Sequence, residues 1–223
     1  MVEIKNPGLI DVHTHHPGNP RAVRNIFPGE VDRIKSGYMY SVGLHPWHVK
    51  NEKDDTWFKV LKTAAGKEEV VAIGEAGLDK LTDVSMDEQM TVFEQHAEIA
   101  EKAGKPLIVH CVRAWQELIA LKNRRRSAVK WIVHGYNSKP AVVKMLLDNG
   151  FVLSFGKAIL DADSNASAVL KQIDYPHFFL ETDDSNHGIE VIYKAAAQIR
   201  NCSVEDLSVQ IKDNFYNTFG RLI

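Results

Sequence analysis

The chain has 223 residues, and its 27 lysines and arginines against 29 aspartates and glutamates give a formal net charge of −2. This balance disfavours a module that binds nucleic acid or a membrane surface by neutralising phosphates, but it allows an enzyme that holds phosphates with metal ions. Hydrophobic residues make up 44% of the chain, an ordinary share for a globular protein. We expect a single domain over residues 1–223.

Cysteine content and terminal sequence bear on the compartment. Two cysteines occur, Cys111 and Cys202, without CxxC spacing, which disfavours a disulfide framework. The segment "MVEIKNPG" does not resemble a signal peptide, and no apolar run approaches the roughly 18 residues that span a bilayer. We therefore expect a cytoplasmic protein with no membrane segment, and no feature indicates a protein partner.

Short apolar runs alternate with longer amphipathic segments along the chain. Seven of these apolar runs are clear strand candidates, and the segment "AVRNIF" at 22–27 fits a short eighth strand. The continuous apolar character of the other runs is typical of strands buried on both faces, as in a parallel sheet. These seven predicted strands cover residues 8–13, 38–43, 70–75, 106–110, 130–134, 151–155 and 178–182.

Helix boundaries are clearest in three segments. Ser85 and Glu88 form a capping-box pattern, and Gly104 ends the helix that they begin. A second helix is expected from the serine to the glycine of residues 138–150, and Ser203 opens the last long helix. Strands alternating with helices predict βαβ units with parallel strands.

The segment between residues 16 and 37 departs from this alternation. Pro28, Gly29 and Gly37 leave no room for an amphipathic helix after the short strand. We therefore predict a distorted (β/α)8 TIM-type barrel with one helix missing near the N-terminus. An open doubly wound sheet is the alternative.

Polar residues cluster where the predicted strands end, which in a parallel barrel is the face that carries the active site. His13 and His15 alternate along the first strand, so their side chains and that of Asp11 are expected on one side. His45 follows the second predicted run directly. The metal-binding residue types at the strand ends are His13, His15, Glu75, His110, His134 and Asp183.

Each of these residues alone has an ordinary structural explanation. An HxH pair can be a coincidence, Glu75 could face solvent at a strand end, and Asp183 could cap a helix. Together, however, four imidazoles and two carboxylates on one rim can share two divalent metals, with Glu75 as the bridge. A pair of metals about 3.5–4 Å apart generates hydroxide at neutral pH and stabilises both the attacking and the leaving oxygen.

Seven sequence blocks carry a resemblance to a known family. The sequence resembles the TatD family of metal-dependent deoxyribonucleases, within the amidohydrolase-like barrels, and the resemblance covers essentially the whole chain. The blocks follow the family order: "DVHTHH" at 11–16, "GLHPW" at 43–47, "AIGEAGLD" at 72–79, "PLIVHC" at 106–111, "VHGY" at 133–136, "LETD" at 180–183 and "DNFYNTFG" at 213–220.

The resemblance implies a dinuclear centre that cleaves phosphodiester bonds in DNA or in a small molecule. One metal would lie on His13, His15 and Asp183. The second would lie on His110 and His134, with Glu75 as the bridging catalytic carboxylate. The resemblance leaves the metals open among Mg²⁺, Mn²⁺ and Zn²⁺.

The resemblance also implies roles in handling water and substrate. Asp183 would accept the proton of the attacking water, and His45 would contact a substrate phosphate. Arg113, three residues after His110, is a second candidate phosphate contact, since a guanidinium suits paired phosphate oxygens. An arginine exposed to solvent in the first turn of a helix is its ordinary explanation.

Four departures from the family pattern affect the surroundings of the centre and none of its ligands. The segment after "HTHH" is short, Lys80 and Leu81 replace the usual aromatic residues, "HGYNS" replaces the usual HCFSG, and the usual long loop after "ETDD" is absent. We expect a more open cleft as a result. Two alternatives are an amidohydrolase-type amidase or lactonase, whose bridge is often a carboxylated lysine instead of a glutamate, and a non-catalytic metal-binding barrel.

Overall fold

The computed structural model describes residues 8–51 and 56–221. Eight parallel strands lie in one sheet in the order in which they occur along the chain. They are β1 (Asp11–Thr14), β2 (Ala22–Ile26), β3 (Met39–Val42), β4 (Val70–Asp79), β5 (Leu107–Val112), β6 (Trp131–Val133), β7 (Phe151–Phe155) and β8 (Phe178–Leu180).

The first and last strands close the sheet into a barrel. A parallel bridge joins Thr14 to Asp183. The backbone N–H of His15 donates to the oxygen of Asp183 at 3.1 Å, and the N–H of Asp183 donates to the oxygen of His13 at 2.9 Å. An open doubly wound sheet has no such pairing, so the predicted TIM-type barrel is confirmed.

Helices surround the barrel and connect most of its strands. Short 3₁₀ helices cover Pro28–Arg33, Pro46–Asn51, Lys157–Leu160 and Tyr175–His177. None of the helices among the described residues is long and apolar enough to cross a lipid bilayer. The α-helices are α1 (Thr56–Ala64), α2 (Met86–Ala103), α3 (Trp115–Arg125), α4 (Pro140–Asp148), α5 (Asn165–Leu170), α6 (Ile189–Arg200) and α7 (Val204–Phe219).

Three of the predicted helix boundaries are confirmed by their caps. The hydroxyl of Ser85 accepts from the N–H of Glu88 at 3.3 Å, and Gly104 ends α2 in the left-handed region with φ of 64°. Ser203 caps α7. The helix expected from residue 138 begins instead at Pro140, because the fixed φ of proline and its missing N–H suit the first helical turn.

The structure confirms that no α-helix follows the short second strand. Residues 22–26 form β2, and the link to β3 holds a 3₁₀ helix, Pro28–Arg33, where a barrel usually has an α-helix. The connection between β1 and β2, residues 15–21, is also without a helix. The barrel wall is therefore thinner on this side, next to the end of β1.

Two glycines in β4 allow the backbone to turn Glu75 toward the barrel axis. The pairing of β4 with β5 shifts in register between Ile73 and Ala76. Gly74 has φ of 120°, and a Cβ there would lie 2.3 Å from the oxygen of Ile108. Gly77 is in similarly close contact with the backbone of His110. Larger residues at these positions would force β4 and β5 apart.

Candidate metal centre

The structure brings all six predicted ligands together at the C-terminal ends of the strands, with Glu75 in the middle. One oxygen of Glu75 faces the end of β1. Its Oε2 lies 3.4 Å from Nε2 of His13 and 3.5 Å from Nε2 of His15.

The other oxygen of Glu75 faces β3, β5 and β6. Oε1 lies 2.7 Å from Nε2 of His134, 3.1 Å from Nδ1 of His110 and 3.2 Å from Nε2 of His45. His110 therefore presents Nδ1 to the centre, whereas His45 and His134 present Nε2. The two oxygens of the buried Glu75 carboxylate thus face two separate sets of imidazoles.

Asp183 completes the set on the β1 side. Its Oδ1 lies 3.5 Å from Nε2 of both His13 and His15, and 27% of its side chain is exposed. The backbone of Asp183 adopts φ of 53°, a left-handed conformation that aspartate tolerates better than most residues. The hydrogen bonds to His13 and His15 across the barrel seam hold it there.

Three groups of these side chains converge closely enough to hold a metal ion: His13, His15 and Asp183; His13, Glu75 and His134; and His45, Glu75 and His110. Together, the three groups contain all six predicted ligands. His45, predicted as a phosphate contact, lies within the third group and is buried. It is therefore a candidate ligand as well.

The charges in the cluster act on one another strongly. Burial would raise the pKa of Glu75, but the charge of His134, the hydrogen bond from His110 and the close contact with His13 lower it well below its usual value. Burial and the charge of His134 would lower the pKa of His13, but contacts with Asp183 and Glu75 raise it to about 9. The cluster thus attracts positive charge, which protons or metal ions can supply.

Unpartnered atoms show that the residues fit a metal. Both ring nitrogens of His13 are buried and have no hydrogen-bond partner among the described residues. Nitrogen atoms in such positions cost free energy unless they bind a cation or a donor. Neutral imidazoles and carboxylates are also the ligands that divalent metals take in catalytic centres.

Similarity to known proteins agrees with this geometry. The family model described as "TatD related DNase" matches residues 30–220. The chain belongs to the TatD family.

Two bacterial relatives and one solved structure provide the comparison. The uncharacterized metal-dependent hydrolase YabD of Bacillus subtilis is 32% identical over 66% of this chain and 58% of its own length. The uncharacterized metal-dependent hydrolase YcfH of Escherichia coli K12 is 26% identical over 86% of this chain and 76% of its own. In the crystal structure of the TatD homologue YJJV from E. coli K12, the fold matches with a TM-score of 0.84, at 18% identity, over 96% of this chain and 98% of that one. This TatD chain is thus a metal-dependent hydrolase with residue groups that could bind metal ions.

Sequence reasoning missed two carboxylates that lie behind the candidate ligands. Asp79, at the end of β4, has Oδ2 3.3 Å from Nε2 of His110, on the ring side away from Glu75. The same oxygen accepts from the indole N–H of Trp47 at 2.7 Å, and Oδ1 accepts from the N–H of Leu81 at 2.7 Å. Burial would raise the pKa of Asp79, but these hydrogen bonds lower it, so the carboxylate stays ionised.

Glu181 has the corresponding position behind His134. Its Oε1 lies 3.7 Å from Nδ1 of His134 and accepts from the N–H of Gly135 at 2.5 Å. The side chain is fully buried, and its Oε2 has no partner among the described residues. Residues two or four apart in a strand lie on the same side of it. The spacing of Glu181 from Asp183, and of Asp79 from Glu75, could therefore have indicated that these carboxylates lie near the centre.

Asn25 of β2 was also missed. Its Oδ1 accepts from the backbone N–H of Glu75 at 2.7 Å and from the hydroxyl of Ser41 at 3.1 Å. This buried amide ties β2 and β3 to the residue at the middle of the centre.

Asp11 does not join the cluster, contrary to the expectation that it shares a side with His13. The strand pairing shifts register between Asp11 and Thr14, which turns the Asp11 carboxylate toward Thr182. Its Oδ2 accepts from the Thr182 hydroxyl at 2.6 Å, and its Oδ1 accepts from the Thr182 N–H at 3.1 Å.

Arg113 lies at the rim of the barrel. It follows β5 with φ of 57°, its side chain is exposed, and its guanidinium forms no ion pair with the described residues. Its side chain is thus exposed to solvent at the barrel rim, three residues after His110 in the chain. His48 is also exposed, and its ring centroid is 6.1 Å from that of His45.

A cavity of about 650 Å³ lies beside the centre, on the outer side of the β1–β8 seam. The two short segments noted in the sequence line it: residues 16–21 after β1 and residues 185–190 after Asp183. His16 lies here, and its Nε2 is 2.9 Å from the backbone oxygen of Ser185. None of the six predicted ligands is among the described residues that line this cavity.

Proposed function

We propose that this TatD-family protein hydrolyses phosphodiester bonds with two divalent metals, and that DNA is its substrate class. The observation that carries the proposal is the position of Glu75, whose two oxygens face separate sets of ligands. A carboxylate placed in this way suits a bridge between two metals. The description of the matching family model supports the choice of DNA.

The residues divide between the two sites. His13, His15 and Asp183 would hold one metal. His110 and His134, whose Nδ1 and Nε2 lie 3.4 Å apart, would hold the other. Metals in such a centre make water more acidic and stabilise negative charge on phosphodiester oxygens. Mg²⁺, Mn²⁺ and Zn²⁺ are all compatible with imidazole and carboxylate ligands, and imidazole nitrogens favour the last two.

Asp183 is the general base in this proposal. Burial would raise its pKa, but the close contact with the His13 ring and the charge of that ring lower it, so the carboxylate is ionised. Its partial exposure lets it reach water, whereas Glu75 is almost completely enclosed. Asp183 takes one proton as the water oxygen bonds to phosphorus, the opposite P–O bond breaks, and the leaving alkoxide receives the proton that Asp183 took, which restores the carboxylate.

His45 and Arg113 hold the substrate phosphate in the proposal. Burial lowers the pKa of His45, which keeps its ring neutral. Its Nδ1 accepts from the N–H of Trp47 at 3.2 Å, so the hydrogen that it can donate is on Nε2, which faces Glu75 in the structure. Arg113 supplies the only permanent positive charge of the pair, and its exposed position at the rim suits a phosphate that arrives from solvent.

The test is hydrolysis of bis(p-nitrophenyl) phosphate and of single-stranded DNA by the full chain loaded with each metal in turn. Asp183→Asn should lose at least a hundredfold in kcat, because it removes both a ligand and the base. Asp184→Asn is the matched control, since the neighbouring carboxylate pairs with Lys157 at 2.6 Å on the surface. Full activity of Asp183→Asn, or activity on lactones and cyclic amides with none on phosphodiesters, would refute the proposal.

A further inference from the structure

An exposed tryptophan lies directly beside the buried metal centre. Trp47 is 58% exposed, whereas Trp57 and Trp131 are buried in the core. Leu81, which follows the end of β4, is 64% exposed. Large apolar side chains of this exposure next to a reactive centre are typical of surfaces that contact a ligand.

The indole ring is held in place without a ligand. Its N–H donates to Asp79 at 2.7 Å, and the same carboxylate accepts from the backbone N–H of Leu81. The ring also packs edge to face against His45, with centroids 4.8 Å apart. A rigid aromatic surface loses little conformational entropy when a partner binds to it.

Trp47 is close to the chemistry but is not part of it. Its ring centroid lies 6.1 Å from that of His110, on the β3–β5 side of the centre. The indole therefore lies about one sugar away from a phosphate bound at the metals. A group that is joined to that phosphate through one sugar can reach the indole ring. The base of a nucleotide is such a group.

The chemistry of the surface selects a planar, uncharged partner. Trp47 and Leu81 offer no charge, and the nearby ammonium group of Lys80 is paired with Glu117 at 2.6 Å. In the proposed function the metals and Arg113 bind the phosphate. The surface of Trp47 and Leu81 suits the flat face of an aromatic ring. We propose that Trp47, with Leu81, is a specificity-determining platform on which the nucleobase next to the scissile phosphate stacks. This inference rests on the proposed phosphodiester hydrolysis.

Two substrates with the same leaving group isolate the contribution of the base: thymidine 5′-(p-nitrophenyl phosphate) and methyl p-nitrophenyl phosphate. The ratio of their kcat/KM values measures the preference for a base. Trp47→Ala should lower that ratio about tenfold, mainly through KM for the thymidine substrate, since stacking of one base contributes on the order of that factor. An unchanged ratio in Trp47→Ala overturns the platform.

Two further variants separate stacking from positioning. Trp47→Phe keeps a ring but lacks the N–H that donates to Asp79, so it should retain most of the ratio while activity on both substrates falls. Tyr216→Ala removes an exposed aromatic residue of α7 and should leave the ratio at the wild-type value. A ratio in Trp47→Phe as low as in Trp47→Ala would assign the effect to Asp79 and overturn the platform.

Binding without chemistry distinguishes this inference from the proposed function. Thymidine 5′-monophosphate should quench the tryptophan fluorescence of the full chain, and Trp47→Phe should remove that quenching. Quenching by Trp47 together with no hydrolysis of either ester would retain the platform and refute phosphodiester hydrolysis. Hydrolysis without quenching and without a change in the ratio would retain the function and refute the platform.

Discussion

Oε1 of Glu181 lies 3.7 Å from Nδ1 of His134, on the opposite side of the imidazole ring from Glu75. His134 is therefore placed between two carboxylates. Burial would lower its pKa, but the charges of Glu75 and Glu181 raise it well above the usual value. A carboxylate behind a ligating histidine orients the ring and makes its free nitrogen a better ligand.

We predict that Glu181→Gln weakens metal binding about ten- to hundredfold, because it removes the charge behind His134 while retaining the size of the side chain. The amide oxygen can still accept from the N–H of Gly135. Isothermal titration of the metal-free chain with Zn²⁺ or Mn²⁺ measures the change. Glu205→Gln, on the exposed first turn of α7, is the control, and equal affinities in the two variants would contradict the prediction.

Asp79→Asn should impair both metal binding and stability. Asp79 accepts hydrogen bonds from Trp47 and Leu81 and contacts His110, and an amide nitrogen cannot replace a carboxylate oxygen as an acceptor. One of these partly buried donors then lacks its acceptor, which costs about 1 kcal/mol in the free energy of unfolding. Urea denaturation of the metal-free chain checks this loss, and Asp83→Asn, at an exposed carboxylate, provides the comparison.

Removal of metal should lower the melting temperature, because ions that bind only the folded chain stabilise it by mass action. We expect elemental analysis to find two equivalents per chain after loading, and one in His110→Ala. Differential scanning calorimetry with and without a chelator measures the change in Tm. A single equivalent in the wild-type chain would show that Glu75 does not bridge two ions.

His96 makes stability depend on pH. It is buried in α2, where its Nε2 accepts from the N–H of Leu44 at 2.9 Å and its Nδ1–H donates to the oxygen of Val92 at 2.8 Å. Burial lowers its pKa from 6.5 to about 4. Between these values the unfolded chain binds the proton and the folded chain does not, so stability falls as the pH decreases through this window.

When the pH is lowered from 7.5 to 5, the free energy of unfolding should decrease in both proteins. We expect this decrease to be about 2 kcal/mol smaller in His96→Gln than in the wild type, because the variant lacks the imidazole. Urea unfolding of the metal-free proteins at both pH values measures this difference. His187→Gln, at an exposed histidine, should follow the wild type. Parallel pH dependence in His96→Gln and the wild type would mean that another group is responsible.

The order of strands and the convergence of ligands followed from local patterns. Apolar runs buried on both faces are readable one strand at a time, and the barrel rule places their ends on one face. His13, Glu75 and Asp183, which are far apart in the sequence, could be placed near one another on that basis alone. Nothing beyond strand order and strand ends was needed.

Contacts that depend on register could not be predicted in the same way. A shift in register between Asp11 and Thr14 turned Asp11 away from the face that it was expected to share with His13. The contacts of Asp79 and Glu181 with their histidines depend on how neighbouring strands are staggered. A single sequence contains no direct signal for that stagger.

The pairing of Thr14 with Asp183 has a consequence for the timing of activity. Asp183 obtains its backbone conformation from hydrogen bonds to the first strand, although nearly the whole chain separates the two in sequence. In a nascent or truncated chain that has not joined its two ends, the Asp183 carboxylate is therefore not held beside His13 and His15. If Asp183 is the general base, as we propose, hydrolysis begins only when the ring of strands is complete, and an unfinished molecule is inert toward phosphodiesters.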